Sequence, residues 1–306
     1  MISPIGIDDF FELRKTLPVI DVRSPGEYRK SCIPGACNVP IFTDQERATV
    51  GKTYKQKGRL EAIKLGLRFV GPQMLEKLEA AEQIAGEPKK VIVHCWRGGM
   101  RSENMAWLFS RADIDCYVLK GGYKTYRNVA QTYFNRPWQL FILGGMTGSG
   151  KTEMLYHLAE EGEQVIDLEG LAHHKGSAFG TIGENTQPET EFFENQLFEK
   201  LLQLDPSRPV WLEDESRTIG KVHIPETFYS KMRSSLVYKV ELNKHFRVKR
   251  LVSEYAKAPP HQLKRSIQAI RKRLGGVRTQ LALDSVDSGD YYNAADIALS
   301  YYDKAY

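Results

Sequence analysis

Short runs of apolar, β-branched residues alternate with stretches of helical periodicity along the first half of the chain. Three of these runs predict buried strands, at residues 18–22, 90–94 and 115–119, and Asn104 to Arg111 predicts a helix between the last two. Strands that alternate with helices are typical of a parallel sheet. We therefore predict a parallel α/β domain for this half.

The pattern breaks near Asn135-Arg-Pro-Trp138 and then begins again. A second set of apolar runs, separated by helical stretches such as 189–204, predicts strands at 139–143, 164–168, 209–212 and 236–241. Beyond Asn243 the periodicity is helical throughout. These changes divide the chain into three predicted segments, residues 1–136, 137–243 and 244–306.

Composition excludes several classes of protein. The 306 residues are 42% hydrophobic and 26% charged, which supplies two cores and excludes global disorder or a single small module. The chain has no apolar run of roughly 18 residues and no basic leader at Met1, so we expect a cytoplasmic protein without membrane contact. The four cysteines form no CxxC pair, so we expect neither a disulfide scaffold nor a structural metal.

Charge is concentrated in the helical segment. Residues 244–278 hold 11 Lys and Arg against the single acid Glu254, whereas residues 138–243 hold 9 against 17 acids. Such a block favours a polyanionic partner, although it also fits a solvated helix face. The candidate nucleic-acid contacts are Arg265, Arg271, Lys272 and Arg273.

Residues 145–152, Gly-Met-Thr-Gly-Ser-Gly-Lys-Thr, follow an apolar strand and precede a helical pattern. They match G-x-x-x-x-G-K-[ST], in which backbone N–H groups and the lysine bind phosphates and the final hydroxyl can bind Mg²⁺. The candidate phosphate-binding residues are Gly145, Gly148, Ser149, Gly150, Lys151 and Thr152. A loop of this kind recognises a chain of phosphates, so it does not by itself distinguish a nucleotide from another diphosphate ester.

Acidic residues end two of the predicted strands. The run Val210-Trp-Leu-Glu-Asp-Glu215 places Asp214 and Glu215 where a metal-binding or water-positioning acid is expected. The same acids would also serve as a helix cap or as partners of Arg217. Asp167 and Glu169 close the preceding strand in the same way.

A second loop carries a candidate nucleophile. The run His94-Cys-Trp-Arg-Gly-Gly-Met-Arg-Ser102 passes from a predicted strand to a predicted helix, so backbone N–H groups and arginine charge would favour the Cys95 thiolate. The alternative is an inert buried cysteine. The candidate anion cradle around Cys95 comprises Trp96, Arg97, Gly98, Gly99 and Arg101.

The residues alone leave two enzyme classes open. His94-Cys95-x₅-Arg101 formally matches the loop of cysteine phosphatases, in which the thiolate attacks phosphorus. A sulfurtransferase domain fused to an ATP-using P-loop domain is the other possibility.

The first half resembles the rhodanese-like domains. The resemblance rests on the Cys95 loop and on two upstream runs, Asp21-Val-Arg-Ser-Pro-Gly-Glu27 and Ile33-Pro-Gly-Ala36. Ser31-Cys32 stands where the family often has Gly-His, a departure outside the sulfur loop.

The whole chain resembles the tRNA 2-selenouridine synthase family, in which a rhodanese-like domain is joined to a P-loop domain. The combination and order of several runs carry this resemblance: 46–58, 62–66, 95–102, 121–124, 167–172, 176–180, 213–217 with 219–220, and 273–276. The implied fold is a rhodanese-like parallel-sheet domain, a P-loop NTPase-like α/β domain and a basic helical C-terminal extension. The chain ends at Tyr306, where we would expect family members to continue somewhat.

The resemblance implies an enzyme that replaces sulfur by selenium in wobble 2-thiouridine of tRNA. It implies an S-geranyl-2-thiouridine intermediate, with geranyl diphosphate and selenophosphate as co-substrates and no tightly bound cofactor; Mg²⁺ is left open. The partners it implies are the tRNA anticodon region and selenophosphate synthetase. Cys95 would attack as a nucleophile, carry selenium as a perselenide or only bind the selenium donor, and the P-loop would hold the prenyl diphosphate. Sequence patterns do not separate an apolar channel for a ten-carbon chain from ordinary core.

Overall fold

A computed structural model describes residues 1–304, and Ala305 and Tyr306 at the chain end lie outside the described residues. The chain forms two compact units, Met1–Tyr133 and Phe134–Tyr306. The predicted three-segment division, with its further boundary at residue 243, stays a prediction. No helix within residues 1–304 combines the length and apolar character needed to cross a membrane.

The first unit contains a five-stranded parallel sheet with the order β1-β5-β4-β2-β3. Its strands are β1 Ile2–Ile5, β2 Val19–Asp21, β3 Cys37–Asn38, β4 Lys90–His94 and β5 Asp115–Leu119. The bounds of β4 and β5 confirm the prediction, and β2 lies within the predicted range. Val91, Ile92 and Val93 are completely buried in β4, because a parallel sheet is covered on both faces.

Helices surround this sheet, and one of them begins directly after the Cys95 loop. They are α1 Ile7–Leu13, α2 Pro25–Lys30, α3 Asp44–Lys57, α4 Arg59–Val70, α5 Met74–Ala85, α6 Met100–Phe109 and α7 Gly122–Phe134. Met105 and Phe109 of α6 pack into the core beside β4. The predicted helix at 104–111 is therefore confirmed, but it starts four residues earlier, so that its first turn faces the loop.

The second unit contains a four-stranded parallel sheet with the order β11-β6-β8-β7 and a separate hairpin of β9 and β10. Its strands are β6 Leu140–Gly145, β7 Gln164–Ile166, β8 Val210–Glu213, β9 Thr218–Ile219, β10 Val222–His223 and β11 Leu236–Val240. All four predicted strands of this region are present in the sheet. The helices between them are α8 Lys151–Glu160, α9 Leu168–Ala172, α10 Thr190–Leu202 and α11 Glu226–Arg233.

The chain after Asn243 is helical, as predicted. Its helices are α12 Lys244–Tyr255, α13 Pro260–Ala269, α14 Arg271–Leu274, α15 Gly276–Asp287 and α16 Tyr291–Tyr302. Leu263, Ile267, Ala282 and Val286 of α13 and α15 form a small core with Ala294 of α16. The predicted fold class, two parallel α/β domains with a helical C-terminal part, is confirmed.

Candidate functional site

Cys95 lies at the carboxyl end of β4, and its side chain is directed at the first turn of α6. The residue is only 3% exposed, and the Ser102 hydroxyl donates to Cys95 Sγ across 3.3 Å. Burial opposes ionisation of the thiol. The Ser102 hydroxyl, the backbone at Gly99 and the charge of Arg101 outweigh burial and lower the pKa of Cys95. The site therefore favours the thiolate more than an unperturbed cysteine does.

The loop around Cys95 is fixed by close packing of two backbone segments. Gly98 and Gly122 both have positive φ, +62° and +59°, and a Cβ at Gly122 would lie 2.6 Å from the Gly98 nitrogen. The first N–H groups of α7 donate to the loop, from Tyr123 to the Cys95 carbonyl (2.9 Å) and from Lys124 to the Trp96 carbonyl (3.0 Å). The start of α7 therefore sets the shape of the sulfur loop.

The two arginines of the predicted cradle have different surroundings. Arg101 donates to Glu27 Oε2 at 2.8 Å, and Arg47 reaches the same oxygen at 2.9 Å. Burial opposes ionisation of Glu27, but these arginines lower the pKa of its carboxyl. Arg97 is exposed. Arg101 is therefore paired with Glu27 and lies close enough to the sulfur for its charge to lower the pKa of Cys95.

A buried ion pair lies beside the sulfur loop. Asp21 and Arg23 are 0% and 1% exposed, and Arg23 Nη2 lies 2.6 Å from Asp21 Oδ2. The Arg23 guanidinium also lies 3.9 Å from the centre of the Tyr123 ring, and the Tyr123 hydroxyl lies 2.6 Å from Ser31 Oγ. Removing either charge would leave the other buried and unpaired, so we assign this pair to stability.

The P-loop joins β6 to α8, which is the strand–loop–helix context that phosphate binding requires. Gly148 and Gly150 have φ angles of +79° and +84°, which a side chain would strain. Lys151 Nζ donates to the Gly145 carbonyl at 3.3 Å, and the buried Ser149 hydroxyl has no partner within residues 1–304. The loop is thus folded around a potential anion site at the start of α8.

Two carboxyl groups meet beside the P-loop lysine. A Cβ on Gly176 would lie 2.7 Å from Glu215 Oε1 and 2.8 Å from Glu169 Oε1, and the two carboxyls hydrogen-bond each other. Burial raises the pKa of both carboxyls, and the charge and hydrogen bond of Glu169 raise the pKa of Glu215 further, whereas Lys151 opposes the rise in both. Near neutral pH the pair therefore holds a proton more readily than isolated carboxylates do.

Of the two acids predicted from the end of β8, only Glu215 belongs to this pair. Asp214 instead accepts a hydrogen bond from Arg233 Nη1 at 2.9 Å. Thr152 Oγ1 donates to Glu169 Oε2 at 3.4 Å, which links the P-loop to the pair. Across residues 1–304, no three His, Cys, Asp or Glu side chains come together as a metal site made by protein alone.

A cavity of about 610 Å³ opens from the P-loop. One wall is polar and contains the P-loop residues 147–152, Glu169 and Glu215. The other wall is apolar and comes from α12, α13, α15, α16 and the loop after α9: Phe179, Leu251, Leu263, Ile267, Val286, Ala294, Ala298, Leu299 and Tyr302. A phosphate site and an apolar pocket therefore share one cavity.

Comparison with known proteins assigns the family. A model described as the tRNA 2-selenouridine synthase AAA domain matches residues 138–306, and a rhodanese-like domain model matches residues 8–128. The tRNA 2-selenouridine synthase of Nitrosomonas europaea is 38% identical over 285 residues, covering 90% of this chain and 74% of the relative. The chain belongs to the tRNA 2-selenouridine synthase family.

Two further members of the tRNA 2-selenouridine synthase family show how far the likeness extends. The relative from Hydrogenovibrio crunogenus is 36% identical, covering 92% of this chain and 82% of its own length. The relative from Bdellovibrio bacteriovorus is 34% identical, covering 97% of this chain and 86% of its own length. The likeness thus includes both compact units.

The basic block at residues 244–278 of this family member contains side chains in two kinds of environment. All four candidates are exposed: Arg265, Arg271, Lys272 and Arg273. Arg247 of the same charged block is 3% exposed, forms two hydrogen bonds with Asp303, at 2.7 and 2.9 Å, and donates to the Thr147 carbonyl at 3.2 Å. The block is therefore not one continuous solvated face.

Proposed function

We propose that the protein replaces sulfur by selenium in wobble 2-thiouridine of tRNA in two stages. Geranyl diphosphate alkylates the sulfur in the first stage, and selenophosphate supplies selenium in the second. Family membership supports the overall tRNA reaction. The observation that carries the two-stage scheme is the cavity that combines a P-loop with an apolar wall.

The cavity fits the two parts of a prenyl diphosphate. Ser149 and Lys151 lie at its polar end and offer a hydroxyl and an ammonium group to the diphosphate. Ile267 and Leu299 lie on its apolar wall, where a ten-carbon chain would be removed from water. The small side chains of Ala294 and Ala298 also line the cavity.

The first stage needs a stabilised leaving group. The thiocarbonyl sulfur attacks C1 of the geranyl group, the C1–O bond breaks, and diphosphate departs with the electron pair. Lys151 and the P-loop N–H groups stabilise the charge that develops on the diphosphate. If Mg²⁺ accompanies the diphosphate, Thr152, Glu169 and Glu215 would hold it with the oxygen ligands that it prefers, and the ion would neutralise further charge.

The second stage requires Cys95, and electron balance decides between its possible roles. The sulfur and selenium of a cysteine perselenide together carry two electrons fewer than the sulfur of a thiolate and the selenium of selenophosphate. Forming a perselenide from these two reactants therefore needs an electron acceptor. Attack of the Cys95 thiolate on phosphorus needs none: an S–P bond forms, the P–Se bond breaks, and selenide leaves with the electron pair. Selenide then adds at carbon 2, and geranyl thiol departs. Water cleaves the S–P bond, which releases phosphate and restores the Cys95 thiolate.

Nucleoside mass spectrometry of thiouridine-bearing tRNA tests this scheme. The wild type is incubated with geranyl diphosphate and selenophosphate, separately and together. We expect a geranyl adduct with the diphosphate alone and exchange of sulfur for selenium when selenophosphate follows. Unmodified tRNA under all conditions would refute the proposal, and hydrolysis of a selenium-free phosphate ester that needs Cys95 but not Lys151 would favour a phosphatase.

Two variants separate the stages. Cys95→Ala should lose selenation and keep geranylation, since Cys95 and the P-loop lie in different units. Lys151→Ala should lose geranylation first. Equal loss of both activities in Cys95→Ala would refute the division of labour, and tRNA-stimulated ATP hydrolysis that depends on Lys151 would favour the ATP-using alternative.

A further inference from the structure

Helix α12 places an arginine directly on the P-loop. Arg247 anchors the helix through Asp303 and the Thr147 carbonyl. Arg250 follows nearly one turn later, and a Cβ on Gly150 would lie 2.8 Å from its Cζ atom. The Arg250 guanidinium therefore covers the glycine that precedes Lys151, at the mouth of the same cavity.

The present partner of Arg250 is Glu153, which lies in the first turn of α8. The Glu153 side chain is 64% exposed and that of Arg250 is 32% exposed. Ion pairs with this much exposure contribute little, because water competes for both groups. Phosphate oxygens accept bidentate hydrogen bonds from a guanidinium, and a diphosphate carries more negative charge than one carboxylate. A diphosphate is therefore the better partner for Arg250.

The charge of the cavity favours an exchange in which phosphate replaces Glu153 as the partner of Arg250. Its described lining holds three cations against seven acids: Lys151, Lys175 and Arg250 against Glu153, Asp167, Glu169, Glu184, Asp214, Glu215 and Glu254. Lys175 is held by Glu254 at 2.6 Å and Glu184 at 3.6 Å. Arg250, by contrast, is paired only with the exposed Glu153 among the described residues. Releasing Arg250 from Glu153 would make its positive charge available to a ligand at the P-loop.

We propose that Arg250 is a diphosphate-binding residue and that the Glu153 carboxylate pairs with its guanidinium in the free protein. Diphosphate displaces the Glu153 carboxylate and takes its place on the guanidinium, so Glu153 competes with the substrate and sets its affinity. This inference rests on the proposed binding of a diphosphate by the P-loop. It adds a binding residue from α12, outside the P-loop motif, and a resident competitor from α8.

Titration of the full-length protein with inorganic diphosphate, followed by calorimetry, tests the exchange. Arg250→Gln should weaken binding roughly tenfold or more, which is the size of a lost charge-assisted hydrogen bond. Glu153→Gln should tighten binding about two- to fivefold, because an exposed competitor is removed. The gain should vanish when both substitutions are combined. Lys249→Gln, at the exposed neighbour on α12, is the matched control and should bind like the wild type.

Lys151→Ala separates this inference from the proposed function. Loss of binding in Lys151→Ala with wild-type affinity in Arg250→Gln would overturn the role of Arg250 and leave the P-loop assignment intact. Unchanged or weaker binding by Glu153→Gln would overturn the exchange. Failure of the wild type to bind diphosphate at all would overturn both the inference and the proposed function.

Discussion

Replacing Ser102 by alanine should make Cys95 less reactive without disturbing the fold. The Ser102 hydroxyl has one proton, which it shares between Cys95 Sγ at 3.3 Å and the Gly99 carbonyl at 3.0 Å. A hydrogen bond to a charged group contributes about 1.5–3 kcal/mol, and sharing places this bond at the lower end. Because ~1.4 kcal/mol is a factor of about ten, the thiolate population below its titration midpoint should fall roughly tenfold.

The rate of alkylation by iodoacetamide, measured across pH, reports this change. The pKa of Cys95 is lowered in the wild type, so loss of a group that stabilises the thiolate should move the profile of Ser102→Ala to higher pH. Ser110→Ala is the control, since Ser110 donates to the Trp107 carbonyl at the other end of α6. Superimposable profiles for Ser102→Ala and the wild type would refute the assignment of the hydroxyl as a thiolate donor.

Three further substitutions probe other parts of the molecule. Arg23→Met should lower the free energy of unfolding by about 3–5 kcal/mol, because it leaves Asp21 buried and unpaired, and a thermal melt that matches the wild type would contradict this. Ala298→Leu should weaken geranyl diphosphate binding but not inorganic diphosphate binding, and equal effects on both ligands would remove the apolar wall from prenyl binding. Reversing the charge of Arg271 and Lys272 should lower tRNA affinity and reduce its dependence on salt; unchanged affinity in a salt titration would identify a solvated face.

Local patterns were enough to predict the two loops and seven of the nine strands of the two parallel sheets, but not β1 or β3. The β-branched run of β4 and the glycines of the P-loop carry their structure in adjacent residues, so their positions could be predicted. The strand β1 was missed, because its run is short, contains Pro4 and is defined by pairing with β5 more than a hundred residues later. The hydrogen bonds from the start of α7 to the sulfur loop were also missed, because Tyr123 and Lys124 lie far along the chain from Cys95 and Trp96.

The least predictable parts of the site are those contributed by the basic segment. Arg247 and Arg250 belong to a run of positive charge, and no local signal distinguishes them from Lys249, which is exposed. Their contacts with the P-loop depend on how α12 packs. The apolar wall of the cavity could not be predicted from the sequence either, since Leu263 and Ile267 follow the ordinary periodicity of a core helix.

The excess of acids in the cavity makes the effect of pH on diphosphate binding depend on Mg²⁺. Burial raises the pKa of Glu169 and Glu215, and Glu169 raises that of Glu215 further, so the pair loses its shared proton as pH rises through its titration. Without Mg²⁺, the added negative charge should weaken diphosphate binding at higher pH. With Mg²⁺, the same deprotonation creates a ligand for the ion, so binding should strengthen. Calorimetric titrations of the wild type and of Glu215→Gln test this, since Glu169 in the variant has no second carboxyl with which to share a proton. Parallel pH profiles with and without Mg²⁺ would show that the carboxyl pair does not bind the ion.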